Sequence, residues 1–436
     1  MANEFRAGVA TVDISPDRPD LLFLGALHQT EKTRGVMPGN PLEVCAMAFE
    51  AGGRKAVVAV RDTGGYGYRN ELAVRKLVAE RTGLDERRVI VTATHNHSCG
   101  ARPADREDPA SSAAARRFWE GINRGTVEAC VRAVEDLRPA EMAGGTVHLT
   151  EPVGQCRRAR FAHGGSMPSW GAGPVAIPGE RFGPPPGPDS TRIDFLCVRE
   201  PGTERPFGIL TAYASHIHLA GIPYFNGEVA GAVRAAIRRH VPGATALYAT
   251  TTGGDLDMHC VHPMPPGDVE DRLRWYAESA DTLSRRFCDA LVPAIPRSGY
   301  VRPAGMAHEY VETEGHETNR RKRHFLVNAI RLGPVAIASI PAEMFLELVN
   351  RVRDASPVRH LLLMGFNGSS WLGYIGTPLA YEQGGYEMGK GPAPSPEEEQ
   401  RLIARGERSR MIGKARIDTG VEIARTAADL LRRLGS

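Results

Sequence analysis

Short apolar runs typical of buried strands alternate with helical patterns along most of this chain. Residues 55–60 (KAVVAV) form the first clear strand pattern, and residues 89–93 (VIVTA) repeat it. Between them, residues 71–80 (ELAVRKLVAE) have the period of a helix, with Asn70 as its predicted cap. This order predicts a βαβ-like unit. With 436 residues the chain is long enough to bury a substantial core, so we expect a stable α/β protein.

The alternation continues towards the C-terminus. Strand patterns recur at residues 193–198, 207–215 and 246–251, and helical patterns cover about 112–137 and 269–291. Residues 325–332 and 334–340 predict a hairpin about Gly333. Residues 341–343 (PAE) are then expected to open a helix that runs to about residue 352.

A segment rich in glycine and proline covers residues 163–190. Its length and composition are typical of a functional loop, and a disordered insertion is an equally good interpretation. Neither an internal repeat nor a clear linker is visible, so we expect one domain over residues 1–436 that includes this loop. The loop and residues 384–394 are candidates for shaping a pocket.

The charge balance argues against nucleic acid as a partner. The 54 basic and 51 acidic side chains nearly cancel, and residues 320–323 (RRKR) are interpreted as a solvated loop. The N-terminus lacks the apolar core of a signal peptide, and no window reaches the roughly 18 apolar residues of a membrane span. Seven cysteines without CxxC spacing are typical of reduced thiols. A cytoplasmic protein without membrane insertion is therefore expected, and the sequence leaves open whether it forms a homo-oligomer.

Polar side chains gather where several predicted strands end, which is where open α/β sheets bind ligands. His95 and His97 follow the strand pattern of residues 89–93, in the stretch VIVTATHNHSCG. The other residues in such positions are His216, His218, Asp255, Asp257 and Glu343. Residues i and i+2 of a strand share a face, so each His-x-His pair could present both rings to one cavity. Two imidazoles and a carboxylate are common ligands of a catalytic zinc, which keeps one position for water.

Each of these residues also has a purely structural interpretation. A histidine at a strand end is often simply hydrogen-bonded. Glu343 suits the first turn of a helix, and Asp255 suits a turn after two glycines. The location that these features share favours a common site over separate structural roles.

Seven motifs occur in an order that is found in a known family. They are AGVATVDISP (7–16), VTATHNHSCG (91–100), AYASHIHLAG (212–221), FNGEVAGA (225–232), TTGGDLD (251–257), PVAIASIPAE (334–343) and GYIGT (373–377). In these motifs, and over most of its length, the chain resembles the neutral/alkaline non-lysosomal ceramidases. The resemblance implies a layered α/β catalytic domain with mixed β-sheets flanked by helices, and Zn²⁺ as the cofactor.

The resemblance also implies roles for individual residues. The four zinc ligands would be His95, His216, Glu343 and Tyr374. The three residues that act on the substrate would be His97, Arg158 and Tyr386. Arg157 and Arg160 lie close enough to Arg158 to confuse that last assignment, and an ordinary surface charge is the alternative interpretation of Arg158.

Some positions depart from the family pattern. Asn96 replaces a threonine of the family motif, Cys99 a glycine and Asp257 a serine, while His218 occupies an altered stretch. The secreted relatives also carry a signal peptide and a C-terminal immunoglobulin-like domain, which we do not expect here. These changes argue against ceramide as the substrate and leave the metal ligands intact.

The leading hypothesis is therefore a zinc-dependent amidohydrolase that cleaves the C–N bond of a soluble N-acyl or amide small molecule with a zinc-activated water. A cyclase that forms an amide within one substrate is an alternative, as is a non-catalytic homologue that binds a metal or ligand. A serine hydrolase is disfavoured because no G-x-S-x-G motif is present, and Cys99 is expected to be a small buried thiol.

Overall fold

The structure is a computed structural model that describes residues 4–24, 33–65, 67–105, 107–161, 166–168, 182–183, 190–219, 221–258, 267–316, 322–367, 373–388 and 417–435. The strands are β1 (Arg6–Asp13), β2 (Leu22–Leu24), β3 (Glu43–Ala51), β4 (Arg54–Arg61), β5 (Val89–Ala93), β6 (Ala101–Pro103), β7 (Arg138–Pro139), β8 (Glu141–His148), β9 (Gly154–Cys156), β10 (Arg158–Phe161), β11 (Ser166–Pro168), β12 (Phe182–Gly183), β13 (Arg192–Arg199), β14 (Pro206–Tyr213), β15 (Thr245–Thr250), β16 (Leu256–Met258), β17 (Met306–His316), β18 (Lys322–Leu332), β19 (Val335–Pro341), β20 (Glu343–Met344), β21 (His360–Asn367) and β22 (Tyr374–Ile375). The α-helices are α1 (Tyr68–Thr82), α2 (Pro109–Glu135), α3 (Glu228–His240), α4 (Val269–Leu291), α5 (Leu346–Asp354), α6 (Pro378–Gln383) and α7 (Thr419–Gly435).

Three larger sheets organise these elements. The first sheet has the order β5-β4-β3-β1-β7, the second β15-β14-β13-β8 and the third β17-β18-β19-β21. Each is mainly antiparallel and contains one parallel pair: β4 with β5, β14 with β15, and β19 with β21. The predicted α/β class with mixed sheets flanked by helices is confirmed.

The three sheets share one hydrophobic core. Alternate residues of a strand point to opposite faces, and in β4 Val58 and Val60 belong to the shared core while Val57 and Ala59 pack with residues of α2. The second and third sheets divide in the same way, since Leu196 and Leu362 also lie in the shared core. Their other faces pack against α3 and α4, and against α5 and α7, respectively. The single domain over residues 1–436 stays a prediction.

Several predicted elements have the expected bounds. Strand β5 and helix α4 match their predicted bounds residue for residue. Strands β4 and β5 form the parallel pair of a βαβ unit that contains α1. Strands β18 and β19 form the predicted hairpin about Gly333, whose φ is 56°. None of the described helices is both long and apolar enough to cross a membrane. The predictions for residues 320–321, and for most of 163–190 and 384–394, concern residues outside the described ranges.

Two predicted helix starts are wrong. Helix α1 begins at Tyr68 with Gly67 as its N-cap, so Asn70 lies inside the helix. Helix α5 begins only at Leu346, whose backbone N–H donates to Asp255 Oδ1 at 2.9 Å. Glu343 precedes that helix and lies in β20, so its interpretation as a first-turn carboxylate is also wrong. The cap comes from a distant segment, which the local pattern at residues 341–343 could not reveal.

Candidate metal centre

Three imidazoles and a carboxylate converge at one point in the described part of the chain. Ring nitrogens of His95, His97 and His216 lie within 4.8 Å of one another. Glu343 Oε2 lies 3.4 Å from His95 Nε2 and 3.5 Å from His216 Nε2. Nitrogen and carboxylate donors at such separations could hold a divalent metal ion. We call these four residues the histidine cluster.

Each large sheet delivers one of the converging groups. His95 follows β5 of the first sheet, His216 follows β14 of the second, and Glu343 follows β19 of the third. Each of these strands has a parallel neighbour, and parallel strands end at the same edge of a sheet. The histidine cluster therefore lies where the carboxyl ends of three parallel pairs meet.

Backbone carbonyl groups orient two of the imidazoles. His95 Nδ1 lies 2.6 Å from the carbonyl oxygen of Gly64. His216 Nδ1 lies 2.7 Å and 2.8 Å from the carbonyl oxygens of Gly253 and Leu256. Because a carbonyl oxygen only accepts hydrogen bonds, Nδ1 carries the proton and Nε2 presents its lone pair. Metal-binding histidines are usually held in this manner.

Within the described part of the chain, two buried atoms at the centre have no hydrogen-bond partner. They are His216 Nε2 and Glu343 Oε2. With Nδ1 protonated, His216 Nε2 is an acceptor like the carboxylate, so the two atoms cannot satisfy each other. Leaving a buried carboxylate oxygen unpaired is costly, and a cation between the two atoms would satisfy both. The donor set thus fits a metal ion such as zinc.

Burial keeps His97 and His216 neutral. It lowers the pKa of His97 and of His216, and the nearby charges of the other histidines and of Arg157 act in the same direction. A neutral imidazole is the form that binds a metal ion.

The backbone around the histidine cluster is strained. Four non-glycine residues in the described part of the chain have a positive φ: His95 (62°), Glu228 (51°), Ala342 (66°) and Phe366 (57°). Ala342 immediately precedes Glu343, and the Phe366 ring stacks on His95 at a centroid distance of 4.2 Å. Such conformations cost roughly 1–3 kcal/mol each and concentrate at functional sites. Their location makes the histidine cluster the candidate functional site.

Two glycines leave room for the backbone beside the ligands. A Cβ atom on Gly254 would lie 2.3 Å from the carbonyl oxygen of Glu343, and one on Gly253 would lie 2.6 Å from the carbonyl carbon of Ser215. Ser215 is the neighbour of His216 in the chain. The motif TTGGDLD therefore has its glycines because two segments that carry candidate ligands approach the loop closely, in addition to any turn chemistry.

Tyr374 and two further side chains border the histidine cluster. Tyr374 pairs with Glu343 in the parallel β20–β22 ladder, and its ring lies 6.3 Å from that of His216. Arg157 Nη2 donates to the Tyr374 hydroxyl at 3.0 Å, and the Arg157 guanidinium lies near the rings of both Tyr374 and Tyr386. Burial raises the pKa of Tyr374 and of Tyr386, which keeps both phenols protonated at neutral pH.

Arg158 contacts a different set of groups. It donates to Glu387 Oε2 at 2.8 Å and to the carbonyl oxygen of Gly384 at 3.0 Å, and its side chain is 1% exposed. The alternative interpretation as a surface charge is therefore wrong. The catalytic role predicted for Arg158 stays a prediction, and it is Arg157, the neighbour named as a source of confusion, that contacts Tyr374.

His218 and Asp257 extend the histidine cluster on the side of His97. The His218 ring stacks on that of His97, with centroids 4.4 Å apart and planes within 6°. His218 Nε2 lies 3.6 Å from Asp257 Oδ1. Burial lowers the pKa of His218 to about 4 despite the field of Asp257. Two of the departures from the family pattern thus lie beside the candidate site.

The other two departures, Asn96 and Cys99, form hydrogen bonds that hold the loop of His95 and His97. Asn96 Nδ2 donates to the carbonyl oxygen of Asn226 at 2.7 Å. Cys99 Sγ accepts a hydrogen bond from the backbone N–H of Gly64 at 3.2 Å. Burial raises the pKa of Cys99 to about 12, so the thiol is buried and protonated, as expected for a structural cysteine.

Glu228 is a residue that the sequence analysis missed. Its Oε1 accepts from the Ser98 hydroxyl at 2.8 Å, and its Oε2 accepts from the backbone N–H of His97 at 3.2 Å. Glu228 opens helix α3 and so ties the loop of the histidine pair to the second sheet's helices. Its only signal in the sequence was its place in the FNGEVAGA motif.

This combination of three sheets with a candidate metal centre at their carboxyl ends is a ceramidase-like fold. A scan against protein-family models finds no match, and a search of curated proteins finds none either. Among solved structures, the neutral ceramidase from Pseudomonas aeruginosa superposes with a TM-score of 0.69 at 15% identity, covering 99% of this chain and 75% of that one. A ceramidase complexed with C2 gives a TM-score of 0.63 at 16% identity, with the same coverage. At this identity the similarity establishes the fold.

Proposed function

We propose that this protein is a zinc-dependent amidohydrolase that cleaves the C–N amide bond of a soluble N-acyl small molecule. The observation that carries the proposal is the convergence of His95 Nε2 and His216 Nε2 on Glu343 Oε2, with the Nδ1 atoms of both histidines engaged by carbonyl groups. Two solved structures with this fold are ceramidases, which supports amide cleavage as the reaction.

His95, His216 and Glu343 would hold the zinc ion, with Tyr374 as the fourth ligand that the family resemblance predicts. His97 is left for the substrate, because its ring stacks flat on His218 while the Nε2 atoms of the other two histidines face the carboxylate. A zinc ion in this position would polarise the scissile carbonyl and lower the pKa of a water molecule.

The chain's own donors would stabilise the charge that develops on the carbonyl oxygen. Tyr386 keeps its proton because burial raises its pKa, and Arg157 is fixed by Glu387 and Tyr374. Preorganised donors of this kind act most strongly where water is excluded. We therefore assign to Arg157 the role that the sequence suggested for Arg158.

Proton transfer to the departing amine falls to His97. Its imidazole lies among the other rings of the histidine cluster, and its backbone N–H is held by Glu228. A neutral imidazole is able to accept a proton and then return it to the leaving group. His97 thus serves the reaction while its neighbour two residues earlier would hold the metal.

The first experiment measures metal content and amide hydrolysis in the same preparations. We expect about one zinc ion per chain by plasma mass spectrometry, and loss of both metal and activity in His95→Ala and Glu343→Ala, because each removes a ligand. Tyr386→Phe should keep the metal and lower kcat roughly a hundredfold, since it removes one donor. His148→Ala is the matched control, because that histidine is exposed and remote in sequence from the candidate ligands.

Normal zinc content in both ligand variants would contradict the assignment. A metal-loaded protein that hydrolyses none of a broad set of N-acyl amines and N-acyl amino acids would contradict the reaction while leaving the metal site in place. The His148→Ala control excludes a general effect of removing any histidine.

A further inference from the structure

Asp257 is an acidic residue of this site whose carboxylate keeps an open acceptor. Glu343 faces His95 and His216, and Glu387 is bound by Arg157 and Arg158. Asp257 Oδ1, by contrast, is buried and has no hydrogen-bond partner among the described residues. Since an unpaired buried carboxylate oxygen is costly, this atom marks a place where a donor is missing.

His218 does not supply that donor. Its Nε2 lies 3.6 Å from Asp257 Oδ1, which is beyond hydrogen-bond distance. The His218 ring is fixed by its stacking on His97, and its Nδ1 atom is itself buried without a partner. The pair therefore offers two unsatisfied polar atoms, and one of them belongs to a carboxylate.

Asp257 and His218 lie next to His97 and His216. His218 stacks at 4.4 Å on His97, and the His216 and His218 ring centroids are 5.4 Å apart. A substrate amide bound beside His97 would thus be separated from Asp257 by the imidazole ring of His218. The backbone of β16, which carries Asp257, is paired antiparallel with β9, so the carboxylate is presented from a fixed strand.

We propose that Asp257 and His218 form a subsite for an ammonium group, so that the substrate is an N-acylated amine with a second, cationic amine a short distance from the scissile bond. This inference rests on the proposed amide hydrolysis and adds the substrate class. An ammonium group satisfies a carboxylate better than a neutral donor does, because the hydrogen bond is charge-assisted. His218 contributes a second polar contact.

The test compares three matched probes whose chains differ only at the far end. N-acetylputrescine carries an ammonium group, N-acetyl-4-aminobutanol a hydroxyl group and N-acetylpentylamine a methyl group; N-acetylated ethylenediamine and propanediamine vary the spacing. We expect kcat/KM to favour the best ammonium probe over its methyl counterpart by about ten- to a hundredfold. The variant Asp257→Asn, which keeps the shape of the side chain, should abolish that preference and retain the metal.

A second readout does not depend on turnover. Calorimetric titration with the free diamine should show binding to the wild-type protein that weakens by about tenfold or more in Asp257→Asn. Asp281→Asn is the control, because this aspartate is 61% exposed and lies on helix α4.

The outcomes separate the two proposals. Hydrolysis of the methyl and hydroxyl probes as fast as the ammonium probe, or a preference that survives in Asp257→Asn, overturns the subsite and leaves the amidohydrolase standing. Diamine binding that depends on Asp257, in a protein that cleaves no amide, upholds the subsite and overturns the amidohydrolase.

Discussion

Two adjacent arginines at the border of the histidine cluster share one partner and otherwise contact different groups. Arg157 and Arg158 share one buried carboxylate, Glu387, which receives a hydrogen bond from each. From there Arg157 reaches the Tyr374 hydroxyl, and Arg158 reaches the carbonyl oxygen of Gly384. Among the contacts of the described residues, it is therefore Arg157 that reaches a residue at the border of the candidate site.

A pair of conservative substitutions separates these roles. Arg157→Lys should lower kcat by roughly a hundredfold while the metal is retained, because a lysine cannot keep the hydrogen bonds to both Glu387 and Tyr374. Arg158→Lys should leave kcat close to the wild-type value and lower the melting temperature, because it loosens a buried ion pair. Steady-state kinetics, metal analysis and thermal melts measure all three quantities. Equal losses of kcat in the two variants would contradict the division.

The geometry of the candidate site depends on how closely the loops approach the ends of the strands. The candidate ligands His95, His216 and Glu343 were recognised from the sequence because each follows a strand pattern, and the strand bounds were confirmed within a residue or two. The segment at Glu343 was predicted wrongly as a helix start. Its short strand is set by Ala342, with φ of 66°, and by pairing with Tyr374, which is distant in the sequence.

Other parts of the site were beyond the reach of local patterns for the same reason. The contact of Glu228 with the backbone of His97 joins segments 131 residues apart, and that of Arg157 with Tyr374 joins segments 217 residues apart. Periodicity reports which face of an element is apolar, and it carries no information about which distant polar group lies opposite. The strand patterns located the candidate residues and the family resemblance predicted which of them would be ligands, while the contacts that orient them required the structure.

The close approach of Gly254 to Glu343 can be tested by substitution. Gly254→Ala should shift Glu343, because the new methyl group would lie 2.3 Å from its carbonyl oxygen. We expect a free energy of unfolding lower by about 1–3 kcal/mol and a zinc affinity lower by tenfold or more, measured by denaturant titration and by competition with a chelator. Gly299→Ala is the matched control, since a Cβ atom there has no neighbour within 4 Å. Unchanged zinc affinity in Gly254→Ala would show that the loop and Glu343 are not coupled.

The shared core packs one face of each of the three sheets together, and the histidine cluster lies where their carboxyl ends meet. A metal ion at the cluster would add cross-links between all three sheets. Binding energy that is available only to the folded chain adds to the free energy of unfolding.

Zinc should therefore stabilise the protein in a way that depends on the cluster. At a free zinc concentration a hundredfold above Kd, we expect the free energy of unfolding to rise by about 2.7 kcal/mol in the wild-type protein and not to change in His95→Ala. Hydrogen exchange should slow at the carboxyl ends of β5, β14 and β19 together. Slower exchange in one sheet only would show that the ion does not connect the three.

Because each sheet delivers one candidate ligand, binding of a metal ion would require that all three sheets have docked. Contacts between distant segments form late in folding, because the loops that separate them must close first. A chain with one sheet undocked would have at most two of the three groups in place, and its affinity for the ion would be correspondingly poor. Newly made chains would thus acquire zinc, and with it the ability to act on amides, only after the last sheet has docked.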